Sequence, residues 1–213
     1  MSSPHAPMPG AEGLAEPLRS RWSPSVFDAD HVLADSDIET LLSAAQWAPS
    51  AGNSQPWGYV VVPRGTEAHT AFIAHLSRGN AGWVPRASLI LVAGTQVGPA
   101  PDGRGPKSAD YARHDLGQAS AHITLQARSM GLHAHQFAGF DHASAAAELG
   151  VPDHVALMTG IAIGVHLEPG DPRLEEVSAD DRAREERPRE RKPLAEIAFA
   201  SRWSQAWSAS DRS

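Results

Sequence analysis

Three short apolar runs limit what this chain can fold into more than any other feature of its sequence. The runs are 59–62 (YVVV), 88–93 (SLILVA) and 155–165 (VALMTGIAIGV), and all are rich in Val, Ile or Leu. Short apolar runs with β-branched residues are typical of strands that are buried in a sheet. We therefore predict three buried β-strands.

Helix-type patterns separate the three runs. The clearest begins with a capping box, in which Ser36 can cap the helix and Glu39 follows three residues later. Apolar residues recur at helical spacing until Pro49, which predicts a helix over about 37–47. The alternation of helices with buried strands predicts a layered α/β or α+β domain. The other predicted helices span 67–76, 111–130 and 141–149.

The longest predicted helix, 111–130, is apolar around most of its circumference, which predicts a central or interfacial position. Residues 97–107 are rich in Pro and Gly, as is typical of a mobile surface loop or a lid. Residues 168–192 carry dense charge of both signs and predict a solvated excursion. The aromatic residues after Leu194 predict a tail that packs onto another surface.

Length and composition indicate one domain. The chain has 213 residues, of which 41% are hydrophobic and 20% charged. Residues 1–15 are rich in Pro, Gly, Ala and Ser, so we predict a disordered tail there and a single domain over 16–213. No run of about 18 apolar residues is present, and the chain does not begin with a signal-peptide pattern. We therefore expect a cytoplasmic protein without a membrane partner.

Charge and cysteine content exclude several classes of site. A formal net charge of -7 argues against a nucleic-acid partner. Because the chain has no cysteine, disulfides, thiolate nucleophiles and iron–sulfur clusters are excluded, and redox chemistry would need a bound cofactor. His133 and His135 are the closest pair among eleven histidines, but no third ligand can be named. We predict no metal site.

Two segments suggest a binding site for a phosphorylated heterocycle. Residues 21–28 (RWSPSVFD) combine a permanent cation, a hydroxyl and a turn, which together can bind a phosphate. Residues 48–57 (APSAGNSQPW) place small residues and an amide pair between a helix end and a strand, where they can read the edge of a planar ring. Taken alone, the two are also consistent with an ordinary surface segment and a plain turn. No Rossmann glycine motif, P-loop or Gly-x-Ser-x-Gly elbow is present.

Together the two segments resemble the FMN-dependent nitroreductase family. That family has an Arg-x-Ser-x-Lys/Arg-x-Phe segment followed by an Ala-Pro-Ser-x-x-Asn-x-Gln-Pro-Trp loop. Three later parts of the chain are similar to the family as well, namely Asn80 ahead of a strand, residues 131–141 and residues 189–194 (RERKPL). The resemblance covers about residues 19–200.

The resemblance implies an α+β fold of three layers, α/β/α, around a central and mainly antiparallel sheet. It implies a homodimer with FMN at the subunit interface and NAD(P)H as a transient co-substrate. Hydride would pass from NAD(P)H through flavin N5 to an oxidised organic acceptor of nitroaromatic or quinone type, so no side chain need act as an acid or base. Two alternatives stay open: an FMN-dependent dehydrogenase or oxidase of a natural-product or peptide substrate, and a flavin-binding protein without turnover.

The resemblance also assigns residues to the cofactor phosphate. Arg21, Ser23, Arg189 and Arg191 would hold it, with the backbone of Trp22 close by. A solvated charge run is the alternative interpretation of the two later arginines, because their neighbours are charged as well.

The flavin ring would be contacted by both subunits. Asn80 would contact its pyrimidine edge, and a backbone amide of the 136–139 segment would be directed at N5. The second subunit would supply Pro49, Ser50, Ala51 and Asn53. The backbone contacts would come from Gln136, Phe137, Ala138 and Gly139.

The sequence departs from the family pattern at two positions. Ser25 stands among the cofactor residues where relatives carry Lys or Arg, which would weaken phosphate binding. Trp83 stands where larger nitroreductases have a Lys beside the flavin. The sequence leaves two roles open for Trp83: it either covers the substrate side of the flavin or packs in the core.

Overall fold

A four-stranded antiparallel sheet lies at the centre of the fold. The computed structural model describes residues 10–208. The strand order is β1-β2-β4-β3. The three predicted strands are confirmed, whereas β3 was not predicted as a strand because its sequence, HAHQF, is largely polar. The strands are β1 (Trp57–Pro63), β2 (Leu89–Gln96), β3 (His133–Phe137) and β4 (Val155–Gly164).

Six α-helices surround the sheet within the described residues, and the four predicted helices are confirmed to within a few residues at their ends. None of the helices between residues 10 and 208 is long and apolar enough to cross a membrane. The predicted tail lies largely outside the described residues. The helices are α1 (Glu16–Ser20), α2 (Asp35–Gln46), α3 (Glu67–Ile73), α4 (Ala109–Ser129), α5 (His142–Glu148) and α6 (Ala179–Glu185).

The predicted cap of α2 is wrong by two residues. Ala34 is the N-cap, and the carboxylate of Asp37 accepts a hydrogen bond from its backbone N–H at 3.2 Å. Ser36 lies inside the first turn, where its carbonyl accepts from the Thr40 hydroxyl at 2.8 Å. An acid at the third helical position satisfies the N-cap amide, so the helix begins earlier than the Ser36 pattern suggests.

The sheet is buried on both faces, which gives the three layers that the resemblance implies. Ile90 and Val92 of β2 join a core with α3 and α5, whereas the alternating Leu89 and Leu91 join a second core with α2 and α4. A strand that is buried on both faces is apolar at every position, which explains the continuous run in the sequence.

Close packing between β3 and β4 depends on a glycine. A Cβ at Gly160 would lie 2.2 Å from Cζ of Phe137, far inside van der Waals contact. Phe137 is therefore held against β4 by a position that only glycine can occupy.

The prediction for residues 168–192 is wrong in part. The segment contains a 3-10 turn (Pro172–Glu176) and α6, and it buries Val177 and Asp181. Val177 packs with Val26 in a third apolar cluster. The sequence does not reveal these anchors, because Asp181 lies among charged residues such as Asp180 and Arg182, which are exposed. Residues 97–107 contain only turns and irregular structure, as predicted.

Candidate functional site

A cationic pocket of about 210 Å³ lies where residues 21–23 meet residues 184–191. The four residues predicted to hold a phosphate all line it, although Arg21 and Arg189 are 168 positions apart in the chain. Five of its eight lining residues are arginines. The lining residues are Arg21, Trp22, Ser23, Arg184, Glu185, Arg187, Arg189 and Arg191.

The pocket carries a net positive charge, because its lining contains five arginines and one carboxylate, that of Glu185. Arg21 Nη2 donates to Ser23 Oγ at 3.0 Å, and Arg189 Nη2 donates to the Arg21 carbonyl at 2.9 Å. The Nε of Arg21 is buried and has no hydrogen-bond partner among residues 10–208. Burial, with the nearby charges of Arg191 and Arg189, lowers the pKa of Arg21. A buried donor among repelling cations fits an anion such as a phosphate.

A second cavity, of about 400 Å³, shares Arg21 and Ser23 with the cationic pocket. Its walls come from α1, α4 and β3, and most of its exposed surface is apolar, although only four of its nine lining residues are apolar. One of its walls is fixed, because Gln136 Nε2 donates to Thr124 Oγ1 at 3.1 Å. An apolar cleft with a few polar groups is typical of a site for a heterocyclic ligand. The remaining lining residues are Leu18, Ala121, Leu125, Ala134 and His135.

Asn80 holds the segment that follows β3. Its Nδ2 donates to the Gly139 carbonyl at 3.0 Å, and its Oδ1 accepts from Trp83 Nε1 at 3.2 Å. Within this segment Phe137 is buried and Ala138 is exposed. None of these five residues lines either cavity. The structure therefore brings Asn80 and the 137–139 segment together, but beside the cavities and not in their walls.

The loop that contains Pro49, Ser50, Ala51 and Asn53 also lines neither cavity. It contains a 3-10 turn (Ala51–Asn53) and is fixed to α4, because the Ala51 N–H donates to Asp115 Oδ2 at 2.9 Å. One subunit thus does not bring these four predicted residues to the cationic pocket.

Comparison with known proteins identifies the chain. Residues 18–81 match the sequence model of the nitroreductase family. The chain superposes on the structure of an oxidoreductase containing FMN with a TM-score of 0.79 and 32% identity, over 90% of this chain and 93% of that one. The chain belongs to the nitroreductase family.

Two curated relatives extend the comparison. An uncharacterised 15.4 kDa protein of Mycolicibacterium smegmatis is 41% identical over 138 residues, which are 64% of this chain and 85% of that protein. A protein of Archaeoglobus fulgidus, provisionally named an NADH dehydrogenase/NAD(P)H nitroreductase, is 29% identical over 144 residues, 64% of this chain and 76% of the relative.

Ser25 is buried beside the end of α6 in this member of the family. The side chain of Ser25 is only 1% exposed and lines neither cavity, so the structure corrects the view of it as a residue that touches the phosphate. Its backbone N–H donates to the carboxylate of Glu185, which also accepts from His166 Nε2 at 3.2 Å. These contacts fix the end of α6, which brings Arg184 to the pocket. This role cannot be predicted from the sequence, because a charged segment that packs on the domain has the same composition as one that is solvated.

The predicted substrate contact of Trp83 is wrong for the single subunit. Its side chain is 1% exposed and stacks on His135, with ring centroids 4.2 Å apart. Phe27 stacks on it as well, at 6.2 Å. Trp83 therefore takes the core role that the sequence left open, because its indole is enclosed between the sheet and the 3-10 turn (Val84–Arg86).

His135 should make the stability of this nitroreductase depend on pH. Burial lowers the pKa of His135, and Arg184 and Arg21 act in the same direction, against the Pro24 carbonyl and Glu185. Its Nδ1–H donates to the Pro24 carbonyl at 2.7 Å. Because the unfolded state takes up the proton near pH 6.5, the free energy of unfolding should fall as the pH decreases below about 6.5, by at most about 1.4 kcal/mol per pH unit.

Urea unfolding at about pH 7.5 and about pH 5.5 measures this loss. His135→Gln should lose less stability between the two pH values than the unchanged protein. Some loss should remain, because burial also lowers the pKa of His69. Equal losses in the variant and the unchanged protein would contradict the assignment to His135.

Proposed function

We propose that this nitroreductase-family protein is an FMN-dependent oxidoreductase that uses NAD(P)H to reduce an oxidised organic acceptor of nitroaromatic or quinone type. The observation that carries the proposal is the five-arginine pocket, with the buried and unpartnered Arg21 Nε, next to an apolar cleft. FMN has a phosphate for the first and a flat ring for the second. The similar structure of an oxidoreductase containing FMN supports this cofactor.

The chain's own residues would bind and orient the cofactor. Arg21, Ser23, Arg189 and Arg191 would hold its phosphate through charge-assisted hydrogen bonds, beside the Trp22 backbone. Bound FMN supplies hydride transfer at N5. The apolar walls formed by α4 and β3 would exclude water from the ring. No described side chain is needed as an acid or base, so we assign no catalytic residue.

We propose that the segment after β3 also contacts the flavin ring. Asn80 Nδ2 and the Ser77 N–H both donate to the Gly139 carbonyl, which anchors the backbone after Gln136 as a border beside the apolar cleft. We propose that this border contacts the ring edge. A rigid border positions the cofactor at a lower entropic cost than a flexible one.

We further propose a cytoplasmic homodimer in which the second subunit completes each site. The side chain of Trp47, at the end of α2, is 84% exposed. It lines a groove of about 450 Å³ between α2 and α4, to which Ala44 and Leu125 contribute apolar surface. The loop from Pro49 to Asn53 follows Trp47 directly, so a subunit docked on this groove would carry that loop toward its neighbour's cofactor.

Steady-state turnover tests the proposed reaction. The FMN-loaded protein should oxidise NADPH or NADH continuously when a quinone or nitroaromatic is supplied, and mass spectrometry should show the reduced acceptor. Product formation from a natural-product or peptide substrate with oxygen and no nicotinamide would favour a dehydrogenase instead. Retained FMN without either activity would favour a flavin-binding protein.

A further inference from the structure

A third cavity, of about 610 Å³, lies apart from the cationic pocket and the apolar cleft of the same subunit, and one of its walls belongs to the loop that we propose reaches the neighbour's cofactor. It lies between residues 51–55 and the Pro/Gly loop 97–107. It shares no lining residue with the cationic pocket or with the apolar cleft. Most of its lining side chains are polar, and two are cations, Arg104 and Lys107.

One wall of this third cavity has a conformation that costs energy. Asn53 and Gln55 have φ angles of 56° and 45°, in the left-handed region that favours glycine. Non-glycine residues stay in this region only where the surroundings impose it, and they are concentrated at binding and active sites. The conformation fits a binding role for this wall, which includes Asn53 of the loop that we propose contacts the neighbour's cofactor.

Contacts on both sides of the wall impose this conformation. The side chain of Asp115 is buried in α4, with the residue 2% exposed, and its Oδ2 accepts from the Ala51 N–H at 2.9 Å. Ser50 Oγ accepts from the Gln55 N–H at 3.0 Å. Gln55 Nε2 donates to Asn53 Oδ1 at 3.1 Å, which couples the two amides at the cavity surface. The wall is preorganised, so a ligand need not order it.

The two cations of the cavity are not equivalent. Arg104 Nη2 lies 2.6 Å from Asp102 Oδ2, so its charge is largely compensated. Lys107 forms no ion pair with any residue between 10 and 208. Its Nζ lies over the wall, 4.0 Å from the point that a Cβ of Gly52 would occupy. Lys107 is therefore the cation that an anionic ligand can pair with.

We propose that the third cavity binds the anionic group, a carboxylate or a phosphate, of a co-substrate, with Lys107 as its recognition cation. The side-chain amides of Asn53, Gln55 and Gln96 offer additional hydrogen-bond donors. The identity of the ligand as a co-substrate rests on the proposed function, whereas anion binding itself does not. The anion comes either from the organic acceptor or from the nucleotide phosphates.

Calorimetric titration of Lys107→Gln tests the proposal. Two pairs of probes are compared: 4-nitrobenzoate with the neutral 4-nitrobenzamide, and NADPH with NADH. Each probe is added to the FMN-loaded and to the FMN-free protein. Loss of a charge-assisted bond should weaken binding of an anionic probe about tenfold and leave 4-nitrobenzamide unchanged. Arg113→Gln is the matched control, because it removes one cation that pairs with Asp110 outside the cavity.

The outcomes separate the two sources of the anion. A loss limited to 4-nitrobenzoate assigns the cavity to an acceptor carboxylate, and a larger loss for NADPH than for NADH assigns it to the 2′-phosphate. The proposal would be overturned if Lys107→Gln and the unchanged protein bound the anionic probes equally well. It would also be overturned if the substitution weakened binding of 4-nitrobenzamide as much as that of 4-nitrobenzoate. Failure to retain FMN would instead contradict the proposed function, since the FMN-free protein still tests the cavity.

Discussion

Arg21→Gln is expected to weaken FMN binding about 10-fold to 150-fold, because a hydrogen bond to a charged group contributes about 1.5 to 3 kcal/mol. Arg21 is the centre of the cationic pocket: it donates to Ser23, and its carbonyl accepts from Arg189. Its buried Nε has no partner in the part of the chain that the structure describes, so a ligand phosphate would supply one. Quenching of FMN fluorescence during titration measures the affinity.

The control for this prediction comes from the same part of the chain. Arg19→Gln removes a cation two residues away, in α1, that lines neither the pocket nor the apolar cleft. Riboflavin, which lacks the phosphate, should bind equally to Arg21→Gln and to the unchanged protein, and this equality also shows that the variant is folded. If Arg21→Gln and Arg19→Gln bind FMN equally well, the pocket does not hold the phosphate.

Trp47→Glu is expected to weaken dimerisation about 30-fold or more and to reduce FMN retention with it. Exposed tryptophans that fill a groove at an interface are typical hot spots, which cost 2 kcal/mol or more when they are removed. The side chain is 84% exposed in the single subunit, so the substitution leaves the fold of that subunit intact. Sedimentation velocity across a concentration series, with flavin absorbance recorded at the same time, measures both effects.

A matched substitution separates this effect from the general effect of a new charge. Val32→Glu changes a residue that is 78% exposed and does not line the groove between α2 and α4. It should leave both the dimer and the FMN content unchanged. An FMN-loaded monomer of Trp47→Glu would contradict the requirement for a second subunit, and an unchanged dimer would place the interface elsewhere.

The parts of the fold that sequence predicts are those with a strong apolar period. β1, β2 and β4 appear in the sequence as apolar runs. The run is continuous in β2 because that strand is covered on both faces. β3 escapes prediction because His133 and His135 replace apolar residues on one face of an edge strand. Their rings pack against Trp22 and Trp83 instead, which a pattern of polar and apolar residues cannot show.

In the proposed site, too, sequence motifs predict some residues, whereas others are placed by tertiary contacts alone. Arg21 and Arg189 follow from the family motifs, and the structure brings them into one pocket. Arg184 and Glu185 reach that pocket because α6 folds back onto the domain, where the Glu185 carboxylate accepts from the Ser25 N–H, a tertiary contact without a sequence period. The role of Lys107 cannot be predicted from the sequence either, because the Pro/Gly loop around it has no regular structure from which the position of its side chain follows.

The most direct test of the account is the visible spectrum of the purified protein after FMN addition and desalting, followed by anaerobic NADPH and then NADH. We predict about one retained flavin per subunit, which is bleached by at least one of the two nucleotides. Protein that leaves the desalting column without flavin absorbance would contradict the central claim that the arginine pocket and its adjoining cleft hold FMN.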